Sequence, residues 1–340
     1  MGIIARQSLK GTIVNYIGAF IGFISTMFIV TRFLSSEEIG LTRVLFEAAT
    51  FIGTFAQLGI TSSAIRFFPS FKSKDGNNHG FFFYMMMVPL VGCLIFLPFF
   101  GLLQDVICDY FKENSSLFVD YYDWLIPLMF FVVYLGVFET YANLLMRIVI
   151  PKVIREIVIR LLLIVVYLLY AFHVINLTGF VTGYVAVYGV AMFCNFFYVS
   201  KIGSVSLKHD SSFINKDLRK DILKYTLFLM IGVIGGSITS RLDIFMVSAE
   251  LGLNYAGIYS IAFYMVAIID IPSRSITAIS SPVAADALRA GEFERANDLY
   301  KKVALHQLLI GGFIFLILWI NIDNIFAIIP QGDIYKEGKW

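Results

Sequence analysis

The sequence predicts an all-α membrane protein, a polytopic helical bundle of about nine transmembrane helices, from three observations. Hydrophobic residues make up 59% of the 340 and charged residues only 15%, where a soluble chain is about a quarter charged. Mean hydropathy is +0.80. The apolar residues come in runs of about 20 or more, the length that an α-helix needs to cross a bilayer core. Short polar bursts separate these runs, and no soluble domain fits between them. A formal charge of +2, with no basic run interleaved with aromatics, makes nucleic acid an unexpected partner. The three cysteines, Cys93, Cys108 and Cys194, are scattered and predict neither a disulfide framework nor a metal site. The first apolar run is too long for a cleavable signal peptide and lacks a small-residue cleavage site.

Taken in order, the apolar runs cover roughly 11–33, 41–68, 81–103, 124–146, 153–174, 177–199, 222–249, 255–281 and 303–329. The charges between them justify this division. Arg6 and Lys10 precede the first run, and Arg32 and Arg43 flank the first turn. Arg66, Lys72 and Lys74 follow the second run. The third is followed by an acidic loop with Asp105, Asp109, Glu113, Asp120 and Asp123, and the fourth by Arg147, Lys152, Arg155 and Arg160. The sixth leads into a basic segment, from Lys201 to Lys224. Of the 26 Lys and Arg, Arg32, Arg43, Lys112, Lys336 and Lys339 fall on one side, Arg241 and Arg274 fall within spans, and the remainder share the other side. The positive-inside rule then places the N-terminus in the cytoplasm.

Two polar stretches read as amphipathic helices on the membrane surface. One, 212–222, puts Ile214, Leu218 and Ile222 on one face and leads into the seventh span. The other, 283–302, carries Leu288, Phe293, Ala296 and Leu299 among charges.

The chain also repeats. At an offset of 214, Leu9-Lys10 falls on Leu223-Lys224, Gly18 on Gly232, Gly22 on Gly236 and Ser25-Thr26 on Thr239-Ser240. Glu38-Ile39-Gly40-Leu41 then aligns with Tyr255-Ala256-Gly257-Ile258, and Ile60-Thr61 with Ile276-Thr277. Spans one and two thus resemble spans seven and eight. Six spans separate the copies, an even number, which predicts parallel repeats about an axis along the membrane normal.

Phe33-Leu-Ser-Ser-Glu-Glu-Ile-Gly-Leu, followed by Leu58-Gly-Ile-Thr-Ser-Ser-Ala-Ile-Arg, resembles bacterial polysaccharide flippases of the multidrug/oligosaccharidyl-lipid/polysaccharide exporter superfamily. Arg241-Leu-Asp, Ala256-Gly-Ile-Tyr and Ser281-Pro in the second copy are similar too. The resemblance implies two six-helix lobes, with residues 1–207 as the first. Residues 208–340 would begin the second with an interfacial helix and three spans, leaving it truncated. It also implies transport, not catalysis: flipping of undecaprenyl-pyrophosphate-linked oligosaccharide across the bacterial inner membrane, as in O-antigen and lipopolysaccharide synthesis. No cofactor is expected. The partners would be that substrate, membrane lipids and a coupling ion, proton or sodium.

Charges inside spans are costly and point to function. Arg241 and Arg274, with Arg66 at the inner end of span two, are candidate substrate-binding residues, because arginine grips a pyrophosphate bidentately. Glu47, Glu139, Asp243 and Asp270 are candidate ion-coupling residues, since an acid in the bilayer core readily exchanges a proton. Asp270 and Arg274 stand four apart around Pro272, and the plainer reading is an intrahelical ion pair. Two alternatives compete with the flippase. A drug/cation antiporter calls for an acid-rich cavity with fewer arginines. A membrane-embedded polysaccharide polymerase calls for a longer exterior loop than 104–123.

Overall fold

The computed structural model describes residues 3–73, 78–203 and 216–339. These residues are helical almost throughout and contain no β-strand. The long helices are α1 (Ile3–Ile24), α2 (Ser36–Ala56), α3 (Ile60–Phe71), α4 (Phe81–Lys112), α5 (Leu125–Leu144), α6 (Ile159–Ala171), α7 (Leu177–Ile202), α8 (Lys216–Thr239), α9 (Leu242–Glu250), α10 (Leu253–Arg289) and α11 (Phe293–Ile328). Among them, 8 helical runs are long and apolar enough to cross a membrane. The expected fifth span is also helical, from Val149 into α6, but a π-helical turn at Ile154–Val158 interrupts it. The chain is a multi-pass membrane protein.

Local chemistry sets where these helices start and break. Ser35 and Glu38 form a reciprocal capping box at the start of α2: the Ser35 N–H donates to Glu38 Oε2 (2.8 Å), and the Glu38 N–H donates to Ser35 Oγ (3.3 Å). This satisfies N–H groups that the first turn leaves without helical partners. Span two, expected as one helix over 41–68, is broken between α2 and α3. Leu58 (φ 48) and Gly59 (φ 70) are left-handed there, a conformation that only glycine adopts without cost. Span seven is broken too. Arg241 leaves helical geometry (φ −132, ψ −8) between α8 and α9. Just before it, the Thr239 and Ser240 hydroxyls donate to the Gly235 and Gly236 carbonyls (3.1 and 2.8 Å). Such bonds satisfy polar groups within the helix itself, as hydrocarbon surroundings demand.

Contacts divide the chain into residues 1–257 and 258–340. In the first body α5 is central, packed on α2, α4 and α7, with Leu128, Val133, Val137, Phe138 and Tyr141 buried. Aromatic rings fill the space: Phe68, Phe71, Phe81, Phe82 and Tyr141 form one continuous edge-to-face group. The broken span α8–α9 lies antiparallel along α2–α3, within the first body. In the second body, α11 presents Leu308, Phe313, Trp319 and Ile320 as exposed apolar residues, while Tyr335 is fully buried after the following turn.

The two amphipathic expectations fare differently. Residues 212–215 of the first lie outside those described; from Lys216 onward the chain is already part of α8. The second is not one surface helix. Gly291 (φ 76) ends α10 and starts α11, so 283–302 is a helix end, a turn and a helix start.

Candidate functional site: an arginine–glutamate network between broken helices

Residues that the sequence separates by about 200 positions meet along the α2/α8–α9 seam. Glu47, on the fourth turn of α2 and 8% exposed, faces two arginines. Arg43 Nη2 lies 2.8 Å from its Oε1, an i,i+4 pair on one helical face. Arg241 Nε lies 2.8 Å from its Oε2, as a charge contact whose N–H is not aligned along the line to the oxygen. Arg241 Nη1 also donates to Ser237 Oγ (2.9 Å), and Ser237 Oγ lies 3.3 Å from Thr54 Oγ1. The break at Ser240–Arg241 is what delivers the guanidinium. It lets the side chain fold back over the last turn of α8 and still reach α2.

A second network lies in the same body. Arg155 Nη1 donates to Glu139 (3.0 Å), Arg160 Nη2 to Glu156 (3.0 Å), and Arg160 Nη1 to the Gly18 carbonyl. The π-turn at Ile154–Val158 carries Arg155 and Glu156, and such a turn re-aims side chains within an otherwise regular helix. Tyr188, buried on α7, lies within electrostatic reach of Arg43, Glu47 and Arg160 alike, and its hydroxyl is 3.5 Å from that of Tyr184. Together the two networks set four guanidinium groups against three carboxylates. A guanidinium has five N–H donors, so each retains capacity for an anion beyond its carboxylate contact.

Of the residues singled out from sequence, Glu47 and Arg241 are therefore brought together. Glu139 is held by Arg155. Asp243 turns back on its own helix, its Oδ1 accepting from the Ile244 N–H (2.8 Å). Arg66 is exposed at the far end of the seam, its guanidinium 4.1 Å from the Tyr225 ring centre. Asp270 is exposed on α10, in the second body, and the Arg274 side chain lies outside those described. Sequence reasoning missed Arg43, Arg155 and Arg160 by counting them with the charges that flank the spans. The signal for Arg43 was present: an Arg-x-x-x-Glu pair inside an apolar helix is a ready i,i+4 ion pair. Among the described residues, no group of three or more His, Cys, Asp or Glu is placed to hold a metal.

The fold has solved relatives. An outward-facing multidrug-resistance MATE transporter of the MOP superfamily is similar at a TM-score of 0.62 and 14% identity, over 96% of this chain and 73% of that one. A MOP superfamily transporter from Pyrococcus furiosus, for which reverse polarity of the binding pocket suggests a different function, is similar at 0.62 and 14%, over 98% and 76%. A MATE protein in complex with MaL6 is similar at 0.59 and 14%, over 95% and 73%. No curated protein gives a significant match to the sequence. The profile of the family described as polysaccharide biosynthesis protein matches residues 4–285. The chain thus belongs to the polysaccharide biosynthesis protein family and has the fold of MOP superfamily transporters.

Proposed function

We propose that the protein flips an undecaprenyl-pyrophosphate-linked oligosaccharide across the bacterial cytoplasmic membrane by alternating access, with its N-terminus in the cytoplasm. The observation that carries this reading is the pair of arginines, Arg43 and Arg241, on the single carboxylate of Glu47 at the break in span seven. Charges at such depth cost about 2.5–3.5 kcal/mol each on insertion scales, and an anionic headgroup gives them a use. A diphosphate arriving here exchanges one carboxylate for several phosphate oxygens, each a good match for a planar guanidinium. Residues 1–207 act as one lobe, and residues from 208 onward begin the other. Arg274 and Arg66 serve the same anion at other stages of the cycle.

The acidic residues fit a coupling role less directly. Glu47 and Glu139 are each held by arginine, so the anion itself competes for their partners. Asp243 and Asp270 are the other two proton or sodium candidates. The MATE structures favour a second reading, a drug/cation antiporter on the same fold. A cation would have to displace two arginines, whereas the Pyrococcus furiosus relative is a precedent for pocket polarity tracking function. Reconstitution decides between them. The purified chain in proteoliposomes is expected to move a fluorescent polyprenyl-diphosphate oligosaccharide between leaflets, and Arg241→Ala is expected to abolish this. Movement of ethidium against a proton gradient, with none of the glycolipid, would replace the flippase by the antiporter.

A further inference from the structure

Next to the Glu47–Arg241 contact, α2, α4 and α9 enclose a cavity of about 530 Å³. That is within the range of about 300–1,000 Å³ that holds small-molecule ligands. Its walls are almost entirely carbon, and aromatic rings dominate them. Phe51 leans on Phe245 (centroids 5.9 Å apart), Phe55 on Phe96 (5.7 Å), and Phe100 stacks on Tyr122 (4.4 Å). Rings braced against one another in pairs are stiff walls, so the space is held open by packing.

Two features relate the cavity to the charged network and to the membrane. Ala48 and Leu242 line it, and they are the residues directly after Glu47 and Arg241. The cavity lining thus begins, on each of the two helices, one residue beyond the member of the ion pair. At the other side, Phe99, Leu103 and Met246 line it while remaining 54%, 48% and 54% exposed. They continue a face of α4 on which Val91, Leu94, Ile95 and Leu102 are also exposed. Large apolar side chains all along one face of a spanning helix suit hydrocarbon, so the open side of the cavity lies on a face fit for lipid contact.

A charged grip and an apolar slot, one residue apart and with an open side suited to lipid, fit a ligand with an anionic group attached directly to a single hydrocarbon chain. A polyprenyl diphosphate has that layout. A glycerophospholipid does not: it carries two ester groups between phosphate and chains, and this wall offers them few hydrogen-bond partners. We propose that the cavity between α2, α4 and α9 holds the first isoprene units of the polyprenyl carrier while its diphosphate is at Arg43 and Arg241. The proposal rests on the reading of function above, and adds where the lipid part of the substrate is held.

Photolabelling of the full chain in nanodiscs tests it. The probe is a sugar-free polyprenyl diphosphate with a diazirine on its second isoprene unit, and labelled peptides are mapped by mass spectrometry. Labels are expected on the segments containing Phe96–Leu103 and Leu242–Met246. Ile52→Trp and Leu103→Trp, each filling the slot from a different helix, are expected to lower that labelling by about tenfold, the equivalent of turning away roughly two methylene groups. Arg241→Ala should weaken labelling by the diphosphate probe but not by the matching uncharged polyprenol. Labels falling on other spans, or tryptophan variants that unfold like the parent yet label like it, overturn the proposal. So does a diazirine phosphatidylcholine that labels the slot and is not displaced by polyprenyl diphosphate. Should neither tryptophan variant accumulate, the map obtained with the unmodified chain decides alone. Because the probe has no sugar, cavity labelling without glycolipid movement in proteoliposomes would sink the flippase reading and leave this site standing. Glycolipid movement without cavity labelling would do the reverse.

Discussion

Gly40 and Gly257 pack against each other so closely that a methyl on either would strike the backbone of the opposing helix. A Cβ on Gly40 would collide with the carbonyl oxygen of Leu253, and one on Gly257 with that of Ser36. Each obstructing carbonyl belongs to the residue four before the opposing glycine, so the crossing of α2 and α10 is reciprocal. The same two glycines, Gly40 and Gly257, fall on one another when the sequence is laid over itself. Ser36 Oγ adds a hydrogen bond to Asn254 Oδ1, and Ser115 and Asn114 secure the adjoining end of α9 through the carbonyls of Ser248, Ala249 and Glu250.

Alanine at either glycine is therefore expected to force this crossing apart, since the obstruction is backbone and cannot rotate away. Overpacking of this kind costs about 1–3 kcal/mol. Thermal unfolding in detergent should register that loss, and glycolipid movement should fall with it. The double variant should be little worse than the worse single one, because one displacement relieves both clashes and effects at a shared contact are not additive. Additive losses would show that the two glycines do not share a crossing.

The seam between α2 and α8–α9 gives a second expectation. Removing Glu47 leaves two guanidinium groups facing each other, and stripping one partner from a buried pair costs about 3–5 kcal/mol. Glu47→Ala should thus destabilise the protein more than Arg241→Ala does. Arg241→Ala should instead reduce glycolipid movement beyond any loss of protein, and Arg241→Lys should restore it only in part, keeping the charge without the planar fork. Circular-dichroism melts and proteoliposome transport, measured on the same preparations, separate the two effects. Equal transport by Arg241→Ala and the parent would leave the arginine with a structural role alone.

Much of this architecture was legible in the sequence. Lipid demands long apolar helices, and runs of that length are visible without any knowledge of packing. The two glycines of the close crossing were legible too, because Gly40 and Gly257 occupy matching places in the aligned segments. What could not be read was where spans bend. The left-handed pair Leu58–Gly59 and the non-helical Arg241 sit in apolar stretches that look like uninterrupted helix, because hydropathy is blind to backbone dihedrals. The site was half legible for the same reason. Glu47 and Arg241 stood out as buried charges, but Arg43 and Arg155 lay near expected helix ends, where an arginine ordinarily reaches for the interface. Only the packed bundle shows that their guanidinium groups are paired with carboxylates.

The difference between an arginine paired with a carboxylate and one resting on a ring can be measured. Arg155 is engaged with Glu139 at 3.0 Å and lies 3.8 Å from Glu156, whereas Arg66 rests on the Tyr225 ring, a contact worth about 0.5–1 kcal/mol at an exposed site. Arg155→Ala is expected to lower the unfolding midpoint clearly more than Arg66→Ala. Glu139→Gln in the Arg155→Ala background should add little, because the partner is already gone. A larger loss from Arg66→Ala would mean that the outer end of the seam, not the π-turn network, holds the bundle together.

The three cysteines test the proposed orientation of the whole chain. Cys93 is 3% exposed within α4, so a reagent in water has no path to it. Cys194 is exposed on α7, but it stands among Val190, Phe193 and Phe197, each exposed and apolar, on a face suited to hydrocarbon. A charged maleimide dissolved in water does not enter that layer. Cys108 differs from both. It lies near the end of α4, is partly exposed, and has Asp105, Asp109 and Asp123 as electrostatic neighbours, which places it at a hydrated surface. With the N-terminus in the cytoplasm, an impermeant maleimide added to intact spheroplasts should label Cys108 and lose that label in Cys108→Ser. Prior lysis should not increase it. Labelling of Cys108 only after lysis would put the acidic loop in the cytoplasm and reverse the orientation, and with it the direction assigned to transport. Strong labelling of Cys194 by the same reagent would instead show that the outer face of α7 meets water, so that face could not be a lipid contact.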